Sequence, residues 1–161
     1  MNRRTVWWPI LSMAIALSLF ARPAIAQSSA TGAGAGVFPA GAVFNGVSLS
    51  AVRFGMGVSI DTNGIATGDF ETTLLGTQAG QPRTITVVGK PTGGSVPTAG
   101  SASFSGLCRI DMGDGTPALT SVPFSATAVA GAGSGQTLTL SLGSTNLPAA
   151  TGTDGRITVV K

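Results

Sequence analysis

Two carboxylates in one extended segment, Asp69 and Glu71, are the residues whose types and spacing come closest to an active site. Residues two apart in a strand point to the same face and lie about 6 to 7 Å apart. Glycosidases use a pair of carboxylates at a comparable separation on either side of the bond they cleave. Charges on the wet face of a strand also keep a sheet protein soluble, and this is the interpretation we favour. We therefore predict no catalytic residue and retain a carboxylate-dependent, glycosidase-like hydrolase using Asp69 and Glu71 as the alternative.

A second acidic segment, Asp111–Thr116, has the sequence DMGDGT. Calcium takes about six to eight oxygen ligands, and an EF-hand loop supplies them from alternating positions and a distal Glu. Both features are absent from this segment. Asp side chains in turns instead accept hydrogen bonds from nearby backbone amides. We predict a structural turn with no metal and no other cofactor, and calcium binding is the alternative.

Histidine chemistry is excluded by composition, because the chain contains no His. Ser–His and Cys–His nucleophiles and His-ligated metals therefore cannot form. The single cysteine, Cys108, cannot form an intrachain disulfide, and the residue pattern around it places it inward as a small apolar residue. From residue 27 onward the chain has neither Trp nor Tyr, whose faces stack on sugar rings. A carbohydrate-binding module is accordingly disfavoured.

The first 26 residues have the pattern of a signal peptide. Arg3 and Arg4 form a basic start, Val6–Phe20 is an apolar run, and Ala24-Ile25-Ala26 has the small-x-small pattern of a cleavage site. The apolar run is too short for a membrane-spanning helix. We expect cleavage after Ala26, export to the periplasm or the extracellular space, and no membrane span in the mature chain.

Removal of this segment changes the charge of the chain. The formal net charge of +3 comes from Arg3, Arg4 and Arg22, and the remaining chain has six basic and six acidic residues. The sequence pI of about 10.0 therefore belongs to the precursor and does not favour nucleic acid or an anionic membrane. We predict that the partner is an unknown protein or an envelope component and not a nucleic acid. The oligomeric state is left open.

The elements that must position these residues are strands. The clearest period of two runs through Ala102–Met112, where Phe104, Cys108 and Ile110 share the inner face. Pro123 favours an edge strand or a strand start for the segment that contains it. Similar segments are Val52–Ile60, Ile65–Leu75, Thr84–Val88, Val122–Val129, Thr137–Leu142 and Arg156–Val160, with a hairpin turn at Asp61–Gly64.

About seven to eight short strands without a helical period predict an all-β fold, an antiparallel β-sandwich of the immunoglobulin-like or jelly-roll-like kind. A small barrel is the alternative. The predicted organisation is a signal peptide (1–26), a flexible Gly/Ala/Ser lead-in (27–36) and a single β-sandwich domain (37–161), within which Lys90–Gly100 is a Gly- and Pro-rich link. The predicted core consists of Val52, Phe54, Met56, Val58, Phe70, Phe104, Cys108, Ile110, Phe124, Leu138, Leu140, Ile157 and Val159.

Several short motifs follow one another in a distinctive order. They are FGMGV at Phe54–Val58, GIATGDF at Gly64–Phe70, ASFSGLC at Ala102–Cys108 and PFSATA at Pro123–Ala128. Over roughly residues 50–160 this order resembles the post-COAP domains of bacterial secreted proteins. The resemblance implies a secreted β-sandwich-like module without assigned catalytic residues. The chain departs from that family at the acidic segment Asp111–Thr116, where those domains more often have an Asn-Gly turn.

The acidic turn has a local likeness of its own. The segment Ile110–Thr116 is similar to the DFGDGT turn of PKD domains, which are immunoglobulin-like modules of cell surfaces, although the aromatic strand that normally precedes that turn is missing. Both resemblances imply a β-sandwich and a surface or matrix role. The sequence thus predicts a non-catalytic exported protein, a structural or binding module of the envelope or the extracellular matrix.

Overall fold

The computed structural model describes residues 27–161, and the predicted signal peptide (1–26) lies outside these residues. The described chain consists of strands, tight turns and one short 3₁₀ helix at Gly133–Gly135. The strands are β1 (Ser28–Val37), β2 (Val43–Phe44), β3 (Val47–Ile60), β4 (Ala66–Gln78), β5 (Gln81–Thr98), β6 (Ser101–Asp111), β7 (Leu119–Val129), β8 (Gly131–Ala132), β9 (Thr137–Leu142), β10 (Thr145–Asn146) and β11 (Ala150–Val160).

The strands pair antiparallel along a path that closes on itself. Hydrogen-bonded neighbours run from β1 through β3, β4, β5, β6 and β7 to β9. The path is completed because β9 also pairs with β11, and β11 pairs with β1. Eight strands thus form one closed sheet, to which the two-residue strands β2, β8 and β10 are attached.

The all-β, antiparallel prediction is confirmed. A sandwich is compatible with this pairing, because strands on opposite sides of the closed sheet face one another across the core. The strand number of eleven is larger than predicted, and the strands are longer, with 14 residues in β3 and 18 in β5. The closure of the sheet is the feature expected of the alternative fold, a small barrel.

One apolar core lies inside the closed sheet. Its centre is a set of three phenylalanines, in which the ring centroid of Phe70 lies 5.4 Å from that of Phe104 and 5.6 Å from that of Phe124. The predicted core residues are buried with one exception, because Val159 is only partly buried and packs against the core from its edge. The alternation of apolar and polar residues therefore predicted the inner face of the longer strands correctly.

The flexible lead-in expected at residues 27–36 is wrong, because nearly all of this segment belongs to β1. β1 lies between β3 and β11 and is paired with both of them over its length. Its alternate glycines let the β11 backbone approach closely. A Cβ atom built on Gly32 would lie 2.3 Å from the Arg156 carbonyl oxygen, and one on Gly34 would lie 2.4 Å from that of Asp154. The glycines thus serve backbone packing and not flexibility.

The Gly- and Pro-rich link expected at Lys90–Gly100 is also wrong over most of its length, since β5 continues to Thr98. The pairing of β5 with β6 is irregular between Pro91 and Gly93 and again between Ser95 and Thr98. Such bulges accommodate residues that a regular ladder excludes. The segment is a strand with two local interruptions.

The edge strand or strand start expected at Pro123 is wrong as well, because β7 begins at Leu119 and lies between β6 and β9. Pro123 nevertheless occupies a special place in that strand. The pairing of β7 with β9 ends at Phe124 and Leu142, immediately after the proline. The missing amide hydrogen of Pro123 therefore falls where the ladder to β9 has stopped.

Candidate functional site

The two carboxylates predicted to share a strand face do so on the outer surface of β4. The Asp69 carboxylate forms an ion pair with the Lys90 ammonium, and the two side chains are 73% and 70% exposed. Glu71 lies opposite Val88 in the pairing of β4 with β5. An ion pair this exposed contributes at most about 1 kcal/mol to stability. Its main effect is that the positive charge of Lys90 balances the negative charge of Asp69 at the surface.

Glu71 borders a shallow depression of about 210 Å³ that opens to solvent. Arg53 and the side-chain-free position Gly55 form the β3 side of this depression. Its floor includes Thr72, whose hydroxyl donates to the Arg53 carbonyl at 2.9 Å. Asp69 does not line the depression. The two carboxylates are therefore neighbours on one strand but do not border one cleft.

This arrangement can hold a polar group on the surface between a carboxylate and a guanidinium. A two-carboxylate hydrolase needs both groups on opposite sides of one bond, and here the second one is paired with Lys90. Within residues 27–161, no group of three or more His, Cys, Asp or Glu side chains comes close enough to hold a metal ion. The structure thus offers Glu71 and Arg53 as a pair and leaves Asp69 outside it.

The acidic segment between β6 and β7 forms two consecutive Asx turns. Asp111 Oδ1 accepts from the Gly113 amide at 3.0 Å, and Asp114 Oδ1 accepts from the Thr116 amide at 2.9 Å and from the Thr116 hydroxyl at 2.6 Å. Gly113 and Gly115 have φ angles of +63° and +82°, which other residues resist. The interpretation of this segment as a turn with local Asp–amide bonds is confirmed, and its independence of calcium stays a prediction.

The electrostatics of this turn are dominated by those local bonds. The Thr116 hydroxyl and then its amide hold the pKa of the Asp114 carboxyl below its ordinary value, and Arg83 adds a smaller effect in the same direction. The Arg83 guanidinium donates to the Gly113 carbonyl at 3.4 Å. Ionised Asp114 thus favours the folded turn.

Cys108 lies inside the closed sheet, as the alternation predicted. Burial raises the pKa of its thiol to about 11. A thiol with so high a pKa is almost entirely protonated near neutral pH and is a poor nucleophile. The residue therefore acts as a small apolar side chain in the core.

Sequence reasoning missed a second depression of about 350 Å³, which spans the outer faces of β5, β6 and β7. Five hydroxyl side chains border it, and two of them, Ser103 and Thr127, lie 2.9 Å apart and share a hydrogen bond. The only signal in the sequence was the polar residues at every second position of these strands, and such residues occur on any strand face that is exposed to solvent. The five are Ser95, Ser103, Ser105, Ser125 and Thr127.

An apolar strip on the same outer face was missed as well. Leu107 is 52% exposed and Val88 is 40% exposed. In the register of the sheet, Leu107 is paired with Lys90 on one side and with Pro123 on the other, and Val88 is paired with Arg109. We call Val88, Leu107 and Pro123 the outer apolar strip. Alternation did not reveal it, because these residues occupy positions where polar side chains were expected.

The comparisons with known proteins identify no relative of this chain. Among residues 27–161 no helix has the length and apolar character required to cross a membrane. No protein-family model, no curated protein and no solved structure matches the chain. The likeness to post-COAP domains accordingly stays a prediction.

Proposed function

We propose that this protein is a non-catalytic exported module that acts through surface contacts in the envelope or the extracellular matrix. One observation carries the proposal. Several charged groups of the outer face are used in exposed ion pairs or in local turns, as Asp69 is by Lys90 and Asp114 is by Thr116. Side chains held in this way support solubility and shape, which suits a binding or structural module.

The contact surface we propose is the outer face of β5, β6 and β7. It combines the outer apolar strip with the hydroxyl-bordered depression beside it. A contiguous exposed apolar patch with a rim of polar residues is typical of a protein interaction site. Lys90 and Arg109 lie opposite Leu107 and Val88 in the sheet register, and both cations already have carboxylate partners, Asp69 and Asp111. A partner that offers an apolar group beside hydrogen-bonding groups would therefore fit this face.

The test of this surface is co-sedimentation of the purified protein with isolated envelope or matrix material. We expect Leu107→Glu to reduce the bound fraction strongly, because it places a charge in the apolar strip. The matched control is Thr158→Glu, an exposed position on β11 that pairs with β1 and lies outside this face. Equal binding by the two variants and the unchanged protein would exclude the β5–β7 face as the contact surface.

Export is tested separately by mass spectrometry of the protein recovered from its final location. We expect a chain that begins at Gln27, because Ala24 and Ala26 fit the cleavage pattern. Recovery of protein that still carries Met1 would contradict processing at this site.

The alternative function is a hydrolase, and the observation in its favour is that Glu71 borders a depression together with Arg53. Assays of the purified protein against glycoside substrates would compare Asp69→Asn and Glu71→Gln with the unchanged chain. We expect no hydrolysis from any of the three. Turnover that Glu71→Gln abolishes would establish the alternative and overturn the proposal.

A further inference from the structure

β1 contributes very little to the apolar core, although it completes the closed sheet. Of its ten residues, Ala30 alone belongs to the buried apolar cluster. The other inward positions include Gly32, Gly34 and Gly36, which have no side chain to bury. β1 is therefore held mainly by backbone hydrogen bonds to β3 and β11.

The remainder of the sheet is continuous without β1. Strands β3, β4, β5, β6, β7, β9 and β11 are still connected in that order, because β9 pairs with β11. Loss of β1 would open a gap bordered by two long strand edges. Unpaired edges of this kind recruit another strand.

The gap between β3 and β11 is selective for the strand that fills it. Cβ atoms built at residues 32, 34 and 36 would lie 2.3, 2.4 and 2.7 Å from backbone oxygens of β11. At residue 34 the added atom would also lie 3.0 Å from the Phe54 ring. A strand must therefore lack side chains at three alternate positions, as the Gly32-Ala33-Gly34-Ala35-Gly36 segment does.

The connection that follows β1 is anchored at its first residue, because Phe38 belongs to the buried core and its amide donates to the Ser50 carbonyl at 3.0 Å. Phe38, Pro39 and Gly41 lie between β1 and the β2–β3 hairpin. The proline ring fixes its own φ and keeps the preceding residue extended, while Gly41 has a φ of +89°. Release of β1 would therefore pivot at the exposed Val37 and leave Phe38 and the rest of the connection in place.

We propose that β1 is an exchangeable strand, and that the gap between β3 and β11 accepts β1 from a second copy of this chain. The incoming strand would make the same backbone bonds and glycine contacts as the resident one, so the protein concentration decides between the closed monomer and the exchanged assembly. Reciprocal exchange gives a dimer, and sequential exchange gives an open chain. This inference goes beyond the proposed function and is independent of export and of the outer apolar strip.

The test uses two single-cysteine variants of the whole protein, Ala33→Cys on β1 and Arg156→Cys on β11. Both positions are exposed, and the two residues are direct cross-strand partners. The variants are mixed, unfolded and refolded together at high concentration, and then treated with a short bismaleimide. The buried thiol of Cys108 is the same in all samples.

The experiment has a matched control and an internal standard. The control mixture pairs Ala33→Cys with Ser105→Cys, an exposed position on β6, which is not a neighbour of β1. The standard is the Ala33→Cys/Arg156→Cys double variant refolded at low concentration, in which crosslinking within one chain shows that the reagent spans the pair.

We expect the Ala33→Cys and Arg156→Cys mixture to give at least about tenfold more crosslinked heterodimer than the control mixture, because exchange holds the two thiols at an effective concentration near millimolar. Equal heterodimer in the two mixtures, with the standard crosslinked within its own chain, would overturn the proposal.

Discussion

The two sides of the closed sheet are held together in different ways. On the side of β4, β6 and β7, Phe70, Phe104 and Phe124 form a compact aromatic cluster, with the Phe70 and Phe124 rings inclined by only 7°. At the junction of β1 with β11, glycines bring the backbones together, and the buried apolar side chains are few, chiefly Ala30 and Ile157. We call the first region the aromatic side and the second the glycine seam.

The difference separates two sources of order in one sheet. The aromatic side gains from apolar burial, about 25 cal/mol for each Å² removed from water, and it tolerates a change of shape if the volume is kept. The glycine seam gains little from burial, and its backbone spacing leaves no room for an added atom. Removal of atoms should therefore weaken the aromatic side, and addition of atoms should weaken the seam.

The largest effect is expected for Phe104→Ala, which removes a ring from the centre of the aromatic side. We predict a loss of about 3–5 kcal/mol in the free energy of unfolding, because a buried aromatic is replaced by a cavity. Urea unfolding followed by circular dichroism measures it. Leu107→Ala on the outer face of the same strand is the control and should change stability by no more than about 0.5 kcal/mol. A loss below about 1 kcal/mol for Phe104→Ala would show that the aromatic cluster is peripheral.

The next largest effect is expected for Gly34→Ala in the glycine seam. The added methyl group would lie 2.4 Å from the Asp154 carbonyl oxygen, and we predict a loss of about 1–3 kcal/mol in stability from this overpacking. Gly55 on β3, which pairs with the adjacent residue Ala33, is a close control, because a Cβ built on it meets nothing within 4 Å. Gly55→Ala should be neutral or slightly stabilising. If both substitutions behave alike, the seam is no tighter than the rest of the sheet.

A smaller effect concerns the pH dependence of the aromatic side. Burial raises the pKa of the Cys108 thiol from 9.0 to about 11, so the folded state retains a proton that the unfolded chain releases. This contribution to stability is present in full below pH 9 and is lost between about pH 9 and 11. Denaturation midpoints measured across this range should fall less steeply in Cys108→Ala. Parallel pH profiles of the two proteins would contradict burial of the thiol.

The smallest effect is expected at the Asp111–Thr116 turn, which lies outside both regions. The lowered pKa of Asp114 means that its contribution is present at neutral pH and is lost as the pH falls below about 4. Asp114→Asn should therefore reduce the melting temperature slightly at pH 7 and by less at pH 3. We expect the unchanged protein to melt identically in millimolar calcium and in chelator. A calcium-dependent rise that disappears in Asp114→Asn would make this turn a metal site.

The sequence predicted the aromatic side far better than the glycine seam. Phe70, Phe104 and Phe124 stand in alternating segments, and burial of an alternating face is a local property of a strand. The pairing of Gly32 with Ile157 depends on residues from opposite ends of the described chain. A glycine-rich segment has no apolar face of its own, so its composition looks like that of a linker.

The candidate site was only partly predictable for a related reason. Alternation placed Asp69 and Glu71 on one outer face, which the structure confirms. It could not show that Lys90 would reach Asp69, or that Arg53 and Gly55 would stand beside Glu71, because those neighbours come from other strands. Cross-strand register decides which side chains meet on the outer face, and it is fixed by bulges and tight turns that a single strand pattern does not contain.

The pairing of Ser29 with Val160 places the first and last strands side by side. A few added residues could join their ends, and the chain could be reopened at the exposed Asp114-Gly115 turn to give a circular permutant. In that permutant β11 and β1 would become a local hairpin, while the pairing of β6 with β7 would span the longest separation in sequence. The order in which the strands pair during folding would change, because strands with low contact order pair early.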